Sequence, residues 1–252
     1  MEKLRTPFQG VSNIVRFNWH FYLLSWGFLF LLFLLINSID APFKGYLYIV
    51  CFLILGINII SLAVSYYIYD LSGLYNFNWL NVLKTERRII NISAGFDETS
   101  IILSNRFKHT ALVALDFYDP LKHTEVSIKR ARKAYPIFPG TLQVKTTDLQ
   151  IADNAADKIF VMLSAHEIRD EYERIAFFKE LKRVIKPTGQ IFIVEHLRDT
   201  ANFLAYNIGF FHFYSKSTWF KTFQAAQLEI QKEIKLTPFI STFILEKNGT
   251  TF

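Results

Sequence analysis

The chain has 252 residues, 51% of them hydrophobic and 17% aromatic, with a net charge of +6 and a single cysteine. That length holds one α/β domain of about 150–200 residues plus an accessory part. Cys51 alone excludes an intrachain disulfide or a cysteine metal cluster, and no zinc-ligand spacing or RNP-type aromatic motif accompanies the positive charge, so neither a metal nor nucleic acid is expected.

The apolar excess lies near the N-terminus. Residues 17–39 and 45–69 contain no Asp, Glu, Lys or Arg, and each is long enough to cross a hydrocarbon core of ~30 Å, which takes ~20 helical residues. A signal peptide has a shorter apolar core of ~7–15 residues and a small-residue cleavage site, and no second span follows it so closely. The pattern predicts two transmembrane helices in a hairpin, with Asn58 and Ser61 as helix–helix contacts. Lys3, Arg5 and Arg16 precede the first span, Lys44 stands beside Asp40 in the turn, and Lys84, Arg87 and Arg88 follow the second. The positive-inside rule then puts the N-terminus and everything after Tyr69 in the cytoplasm. The expected organisation is a membrane anchor over residues 1–75 and a cytoplasmic domain over 76–252, an integral membrane protein with the bilayer as partner. The net positive charge favours an anionic leaflet, and "KRARK", Lys129 to Lys133, reads either as a solvated helix face or as a headgroup contact.

From about Arg87 short strands alternate with helices. "RIINIS" predicts a first strand, "DETSIILSNRF" a helix with acids in its first turn, and "TALVALDF" a second strand ending at Asp116. "LKHTEVSIKRARKAY" suits a polar helix, "TLQVKTTD" a third strand, "DKIFVML" a fourth, "RDEYERIAFFKELKRVI" an amphipathic helix and "GQIFIVEH" a fifth strand. "STWFKTFQAAQ" is helical, and "LEIQKEIKL" and "PFISTFILEK" are strands close enough to pair antiparallel. The expected fold class is α/β: a doubly wound, mostly parallel, Rossmann-like sheet with an antiparallel C-terminal edge, preceded by the two-helix hairpin.

This order resembles the class I S-adenosylmethionine-dependent methyltransferases, particularly the branch of the ubiquinone and menaquinone biosynthesis enzymes, over roughly Leu83 to Lys247. The most specific likeness is "ELKRVIKPTGQIFIVE", similar to the family's helix, Lys-Pro-Gly-Gly turn and fifth strand; "DLQIADNAADKIFV" is similar to its run into an Asp opening strand four, here Asp157. The resemblance implies S-adenosylmethionine as cofactor, a glycine-rich loop over Ser93 to Asp97, Asp116 on the ribose hydroxyls and Asp148 near the adenine. The chain departs from the family at Asn91, which replaces the usual acid, at Ser93 in place of the first glycine, and at Asp97 in place of the last. Ser93 and Ala94 are the least costly replacements, and Gly95 survives at the tightest point. Asp97 would repel a pyrophosphate but tolerates a sulfonium and an ammonium, which favours S-adenosylmethionine over NAD. Asn91, Ser93, Ala94, Gly95, Asp116 and Asp148 are the expected cofactor residues; Asp116 and Asp148 also read as turn formers.

Ligands in an open α/β sheet bind outside the carboxyl ends of the strands. His166 and Glu167 after strand four, with Glu195 and His196 after strand five, stand there as candidates to take a proton from an acceptor, catalytic roles falling to His166, Glu167 and His196. "NFLAYNIGFFHFYSKSTWF" is dense in aromatics and suits a greasy acceptor pocket, a membrane-dipping segment or a core helix. The expected activity is methyl transfer to a hydrophobic, membrane-resident small molecule such as an aromatic lipid, a quinone-like compound or a lipid headgroup. A membrane scaffold on a degenerate methyltransferase fold and a nicotinamide-linked oxidoreductase are the alternatives. Oligomeric state is left open.

Overall fold

The computed structural model describes residues 5–83 and 85–247, apart from the Ala41 side chain, so Lys3, Lys84 and Phe252 lie outside the described residues. Two long helices come first, α1 (Gln9–Ser38) and α2 (Ala41–Tyr66), both long and apolar enough to cross a membrane by length and composition. They pack on each other, and Asn58 of α2 donates across to Ser25 Oγ at 2.9 Å as well as back to Ile54. Most large apolar side chains of the pair, from Phe21 and Leu24 to Phe52 and Ile59, face outward. A non-helical Asn18 breaks α1 into an outer apolar arm and an inner segment, residues 9–17, that docks on the domain. Gly10 makes that docking possible, because a Cβ there would fall 2.3 Å from Tyr69 Cβ. Asp70 then accepts from the Gly10 and Val11 N–H groups at 2.8 and 2.9 Å, satisfying donors that a helix start leaves open.

Seven strands form one sheet in the order β3-β2-β1-β4-β5-β7-β6. They are β1 (Arg88–Ser93), β2 (Ala111–Asp116), β3 (Leu142–Gln143), β4 (Ala156–Met162), β5 (Ile185–His196), β6 (Leu228–Thr237) and β7 (Ile240–Lys247). The first five are parallel and β7 is antiparallel to both neighbours, as the sequence pattern predicts. Side chains alternate between the two faces. Ile90, Ile159 and Ile191 join a core with Phe177 and Phe178 of α5 (Glu171–Val184) and Trp219 and Phe223 of α7 (Lys216–Ala225). Ile89, Phe160 and Phe192 join the other, with Leu103 of α3 (Ser100–Arg106), Phe107, and Ile68, Leu74 and Phe77 from the segment after α2. The packing therefore runs straight across residue 75, where the sequence places a domain boundary.

Two strands differ from expectation: β5 begins at Ile185 and takes in the residues read as a turn before "GQIFIVEH", and the third strand is shorter, while the aromatic stretch takes one of the forms left open. The third strand shrinks from 141–148 to two residues: only β2 flanks it, and beyond Val144 the chain folds back in a turn closed between Lys145 and Asp148. The aromatic stretch contains a helix, α6 (Thr200–Tyr206), followed by a 3-10 turn over Asn207–His212. At the amino ends of the strands, Asp157 accepts from Arg87 and Arg88 N–H groups and pairs with Lys186 at 2.6 Å, and buried Lys158 pairs with buried Glu86 at 2.6 Å. These acids brace the end of the sheet opposite the cleft.

Candidate active site

β1 and β4 lie side by side while the chain leaves them in opposite directions along the sheet, the switch point where an α/β sheet opens a crevice. A cleft of about 250 Å³ sits there. Its floor is Ser93 and Ala94 after β1 and Met162 to Ser164 after β4; its roof is Gly10, Asn13 and Phe17 of α1 with Ser127, Ile128 and Ala131 of α4 (Val126–Ala134). Tyr69, His166, Glu167, His196 and His212 close one side. The roof is tied down: Arg130 of α4 donates to Phe17 O at 2.6 Å, and Tyr135 to Asn13 Oδ1 at 2.8 Å. Glu98, in the cleft wall, accepts from Arg5 (2.9 Å), Asn13 (3.2 Å) and Tyr75 (3.1 Å).

The loop after β1 is organised by Asp97. Its Oδ1 accepts from the N–H groups of Thr99 and Ser100, both at 2.9 Å, and from Asn91 Nδ2 at 3.1 Å. The acid in the last glycine's place thus caps the start of α3 and lies outside the cleft lining. Asn91 braces the same turn through Thr99 and Ser100, leaving its buried Oδ1 without a partner. Gly95 has φ +95°, and a Cβ there would lie 2.8 Å from the Tyr118 ring and 3.1 Å from Arg132 Cδ, so the surviving glycine is demanded twice.

Asp116 ends β2 with 3% exposure; its Oδ1 accepts from Tyr118 N–H, and its Oδ2 receives Arg132 Nη1 at 2.5 Å. Arg132 also donates to Gly95 O at 3.3 Å and lies over the Tyr118 ring. This arginine lines a second hollow, of about 800 Å³, with Tyr118, Lys145 and Thr146, so one flexible side chain separates that hollow from the loop of the main cleft. Asp148 reaches neither: it is exposed and accepts from Gln150 N–H at 2.9 Å, the ordinary turn role.

The two candidate histidines occupy opposite electrostatic settings. His166 Nδ1 lies 2.6 Å from Glu195 and Nε2 3.3 Å from Glu167. Burial works against its charge, but the two carboxylates outweigh burial and raise it to about 10. Glu167 is held well below the usual carboxylate range by His166 and His212, against the opposing effect of burial. His166 therefore holds its proton near neutral pH and is not the neutral base that the sequence suggests. His196 is neutral: burial lowers it to about 4, helped by the charge on His166 and opposed by its bond to Asn202. Its Nε2 lies 2.8 Å from Tyr69 Oη and its Nδ1 2.9 Å from Asn202 Oδ1.

Ser93, Ala94, His166, Glu167 and His196 thus converge on one cleft, Gly95 and Asp116 stand at its edge, and Asn91 supports it from beneath. Sequence reasoning misses Tyr69, Asn13, Arg132, Glu125 and His212. Tyr69 ends an apolar span and reads as membrane, while His212 is hidden among aromatics; only an isolated polar atom in each apolar run hints at a role.

The family model described as "Methyltransferase domain" matches residues 90–193. No curated protein matches the chain. Among solved structures it is similar to a protein described as a methyltransferase in complex with the Haloferax volcanii Trm112 methyltransferase activator: 11% identity, 72% of this chain and 91% of that one, TM-score 0.50. It is also similar to an S-adenosylmethionine-dependent methyltransferase from Aquifex aeolicus (16% identity, 63% and 81% of the two chains, TM-score 0.48). A third likeness is to an S-adenosylmethionine-dependent methyltransferase from Clostridium acetobutylicum (13%, 65% and 85%, TM-score 0.48).

Proposed function

We propose that this chain, in which residues 90–193 match a methyltransferase domain on the class I S-adenosylmethionine-dependent fold, methylates a hydrophobic, membrane-resident small molecule. The observation that carries the second half of this reading is the cleft wall: Gly10, Asn13, Phe17 and Tyr69 belong to the base of the apolar hairpin, not to the sheet domain. Alongside, α6 packs on α2 and leaves its own Phe203 and Leu204, with Ile208 and Phe211 of the following turn, exposed, continuing the apolar surface. With the hairpin in a bilayer, those side chains enter the interface and an apolar acceptor reaches the cleft without crossing water.

The residues fit the cofactor. Gly95 gives the close backbone approach, no acid of the loop points into the cleft except the already bonded Glu98, and Asp116 offers Oδ2 once Arg132 swings outward, Oδ1 keeping the Tyr118 N–H. When bound, S-adenosylmethionine supplies a methyl group on a sulfonium ready to leave. Ser93, Ala94 and Gly95 would hold its amino-acid end and Asp116 its ribose. Tyr69 and His196 then serve the acceptor. Asn202 Nδ2 donates to Asp199 and Phe239, so its Oδ1 faces His196 and the imidazole proton sits on Nδ1. Nε2 accepts the Tyr69 hydroxyl proton, and the phenol oxygen can take a proton from an acceptor hydroxyl or acidic carbon as its own passes to Nε2.

Calorimetry on the full chain in detergent, with S-adenosylmethionine and NAD in turn, tests the cofactor. Asp116→Ala should weaken S-adenosylmethionine binding by about 1–3 kcal/mol, the scale of a hydrogen bond to a charged group; unchanged affinity would remove Asp116 from the site. No binding by the parent would return the scaffold reading. Incubation with extracted membrane lipids and a labelled methyl donor should place label in an organic-soluble species.

The same reading sets topology. Arg5, Arg16, Arg87 and Arg88 outnumber Lys44 of the turn, which puts both chain ends in the cytoplasm with the cofactor supply. A fluorescent reporter fused after Phe252 should light up in cells, and an alkaline phosphatase fused there should be silent; the reverse pattern would refute the orientation.

A further inference from the structure

We propose that His166, Glu167 and His212 form a binding site for a divalent first-row transition cation, of the type of Zn²⁺, on the wall of the cleft. One ligand atom from each lies within 4.8 Å of the others. Glu167 Oε1 is 3.3 Å from His166 Nε2 and 3.3 Å from His212 Nε2, long for hydrogen bonds. Ligand atoms ~2.1 Å from a shared cation in tetrahedral array stand ~3.4 Å apart, so both spacings to Glu167 suit coordination, and the two rings need only close on each other within the 4.8 Å that bounds the group.

The far side of each ring supports the assignment. His166 Nδ1 meets Glu195 at 2.6 Å and His212 Nδ1 meets Glu125 at 2.8 Å. A metal-bound imidazole ordinarily gives its other N–H to a carboxylate, which fixes the tautomer and turns the second nitrogen toward the ion; at His166 the cation takes the place of the Nε2 proton that the carboxylates hold there in its absence. Here both rings carry that arrangement and both turn toward one carboxylate oxygen. Three carboxylates therefore surround two imidazoles in a partly buried wall. Arg169 is the cationic side chain in contact with the group: it donates to His212 O at 2.7 Å, and its Nη2 stands 2.9 Å from His212 Nε2, the ligand nitrogen, so a cation must displace it. Its side chain is 43% exposed and can withdraw into water. The sequence reading assigns no metal because the ligands come from two loops 45 residues apart.

Two imidazoles and one carboxylate favour a transition cation over Mg²⁺, which prefers oxygen and retained water. Three protein ligands leave coordination positions open, and all three residues line the cleft. There the cation would hold an oxygen of the acceptor. That role rests on the acceptor cleft proposed above; cation binding does not.

The test uses the full chain in detergent, stripped with a chelator and titrated with Zn²⁺ and, as a visible probe, Co²⁺. One Zn²⁺ per chain should survive gel filtration, and Co²⁺ should show d–d absorption. His212→Ala and Glu167→Gln should each abolish retention, and Glu195→Gln should weaken it by about 10–100-fold, with far-UV circular dichroism unchanged; His109→Ala, on the exposed surface, should change nothing. No retained cation in the parent, or equal retention in His212→Ala and Glu167→Gln, overturns the proposal. S-adenosylmethionine binding measured on the same samples reads the methyltransferase assignment separately.

Discussion

Replacing His196 by Ala should lower methyl transfer by about 10²–10⁴-fold, the range for loss of a general base, with S-adenosylmethionine affinity retained. Tyr69→Phe should do the same, because it removes the oxygen that faces the acceptor while leaving the ring packed. Both stand apart from the residues proposed for the cofactor: Tyr69 comes from the turn after α2 and His196 from the end of β5, whereas Ser93 and Asp116 end β1 and β2 and Gly95 follows β1. The pH profile gives an independent readout. The groups facing His196 are Tyr69 from the hairpin side, Tyr206 and Asn202 from α6, Asp199 from the turn after β5, and the charged His166. The lone pair on Nε2 is present above the pKa of His196 and lost below it, so turnover should hold as pH falls through 6.5 and decline only toward about 4. A loss below about tenfold in both variants, or an acidic limb near 6.5, would make these side chains packing residues. The measurement follows once the lipid-extract screen has supplied an acceptor.

The second large effect is on stability. Lys158 and Glu86 form an ion pair whose side chains are 6% and 5% exposed, at the amino end of β4 and just before β1. The Lys158 ammonium also donates to Asn81 O and lies near the faces of Phe107 and Phe192, so its surroundings are otherwise apolar. Lys158→Met leaves Glu86 buried and unpaired, and should destabilise the chain by about 3–5 kcal/mol. Adding Glu86→Leu removes the stranded charge and should recover most of that loss, since a buried pair is often no more stable than an apolar replacement. Unfolding of the two variants and the parent in detergent, followed by near-ultraviolet circular dichroism, measures both. A single variant within about 1 kcal/mol of the parent would mean that the pair behaves as an exposed one. Cofactor binding below the transition should be unaffected, because the pair lies at the end of the strands away from the cleft.

The strand and helix order was legible without coordinates because it rests on local periodicity. Ile89, Ile90 and Ile92 are buried on alternate faces, and α5 begins where Asp170 accepts from Glu173 N–H at 2.7 Å. Charge-free runs of more than twenty residues announced the hairpin, and the aromatic-rich run after β5 announced an apolar surface. Even the unusual loop was readable in part: Ser93 and Ala94 are small and line the cleft, and Gly95 stood where φ is positive.

Contacts between distant segments were not legible. The break at Asn18 turns the first ten or so residues of α1 into a roof over the cleft, so a stretch with the composition of a membrane arm becomes part of an active site. Tyr69 and His196 are 127 residues apart and meet at 2.8 Å, and His212 joins Glu167 across 45 residues. The protonation of the two histidines was likewise decided in three dimensions. Each is a strand-end histidine near an acid in sequence, yet Glu195 folds beneath His166 and not His196. A pattern of residues sets which face is apolar; which side chains share a pocket, and which of them can hold a charge there, depends on distances and burial that arise only when the sheet, the roof and the hairpin base close on one another.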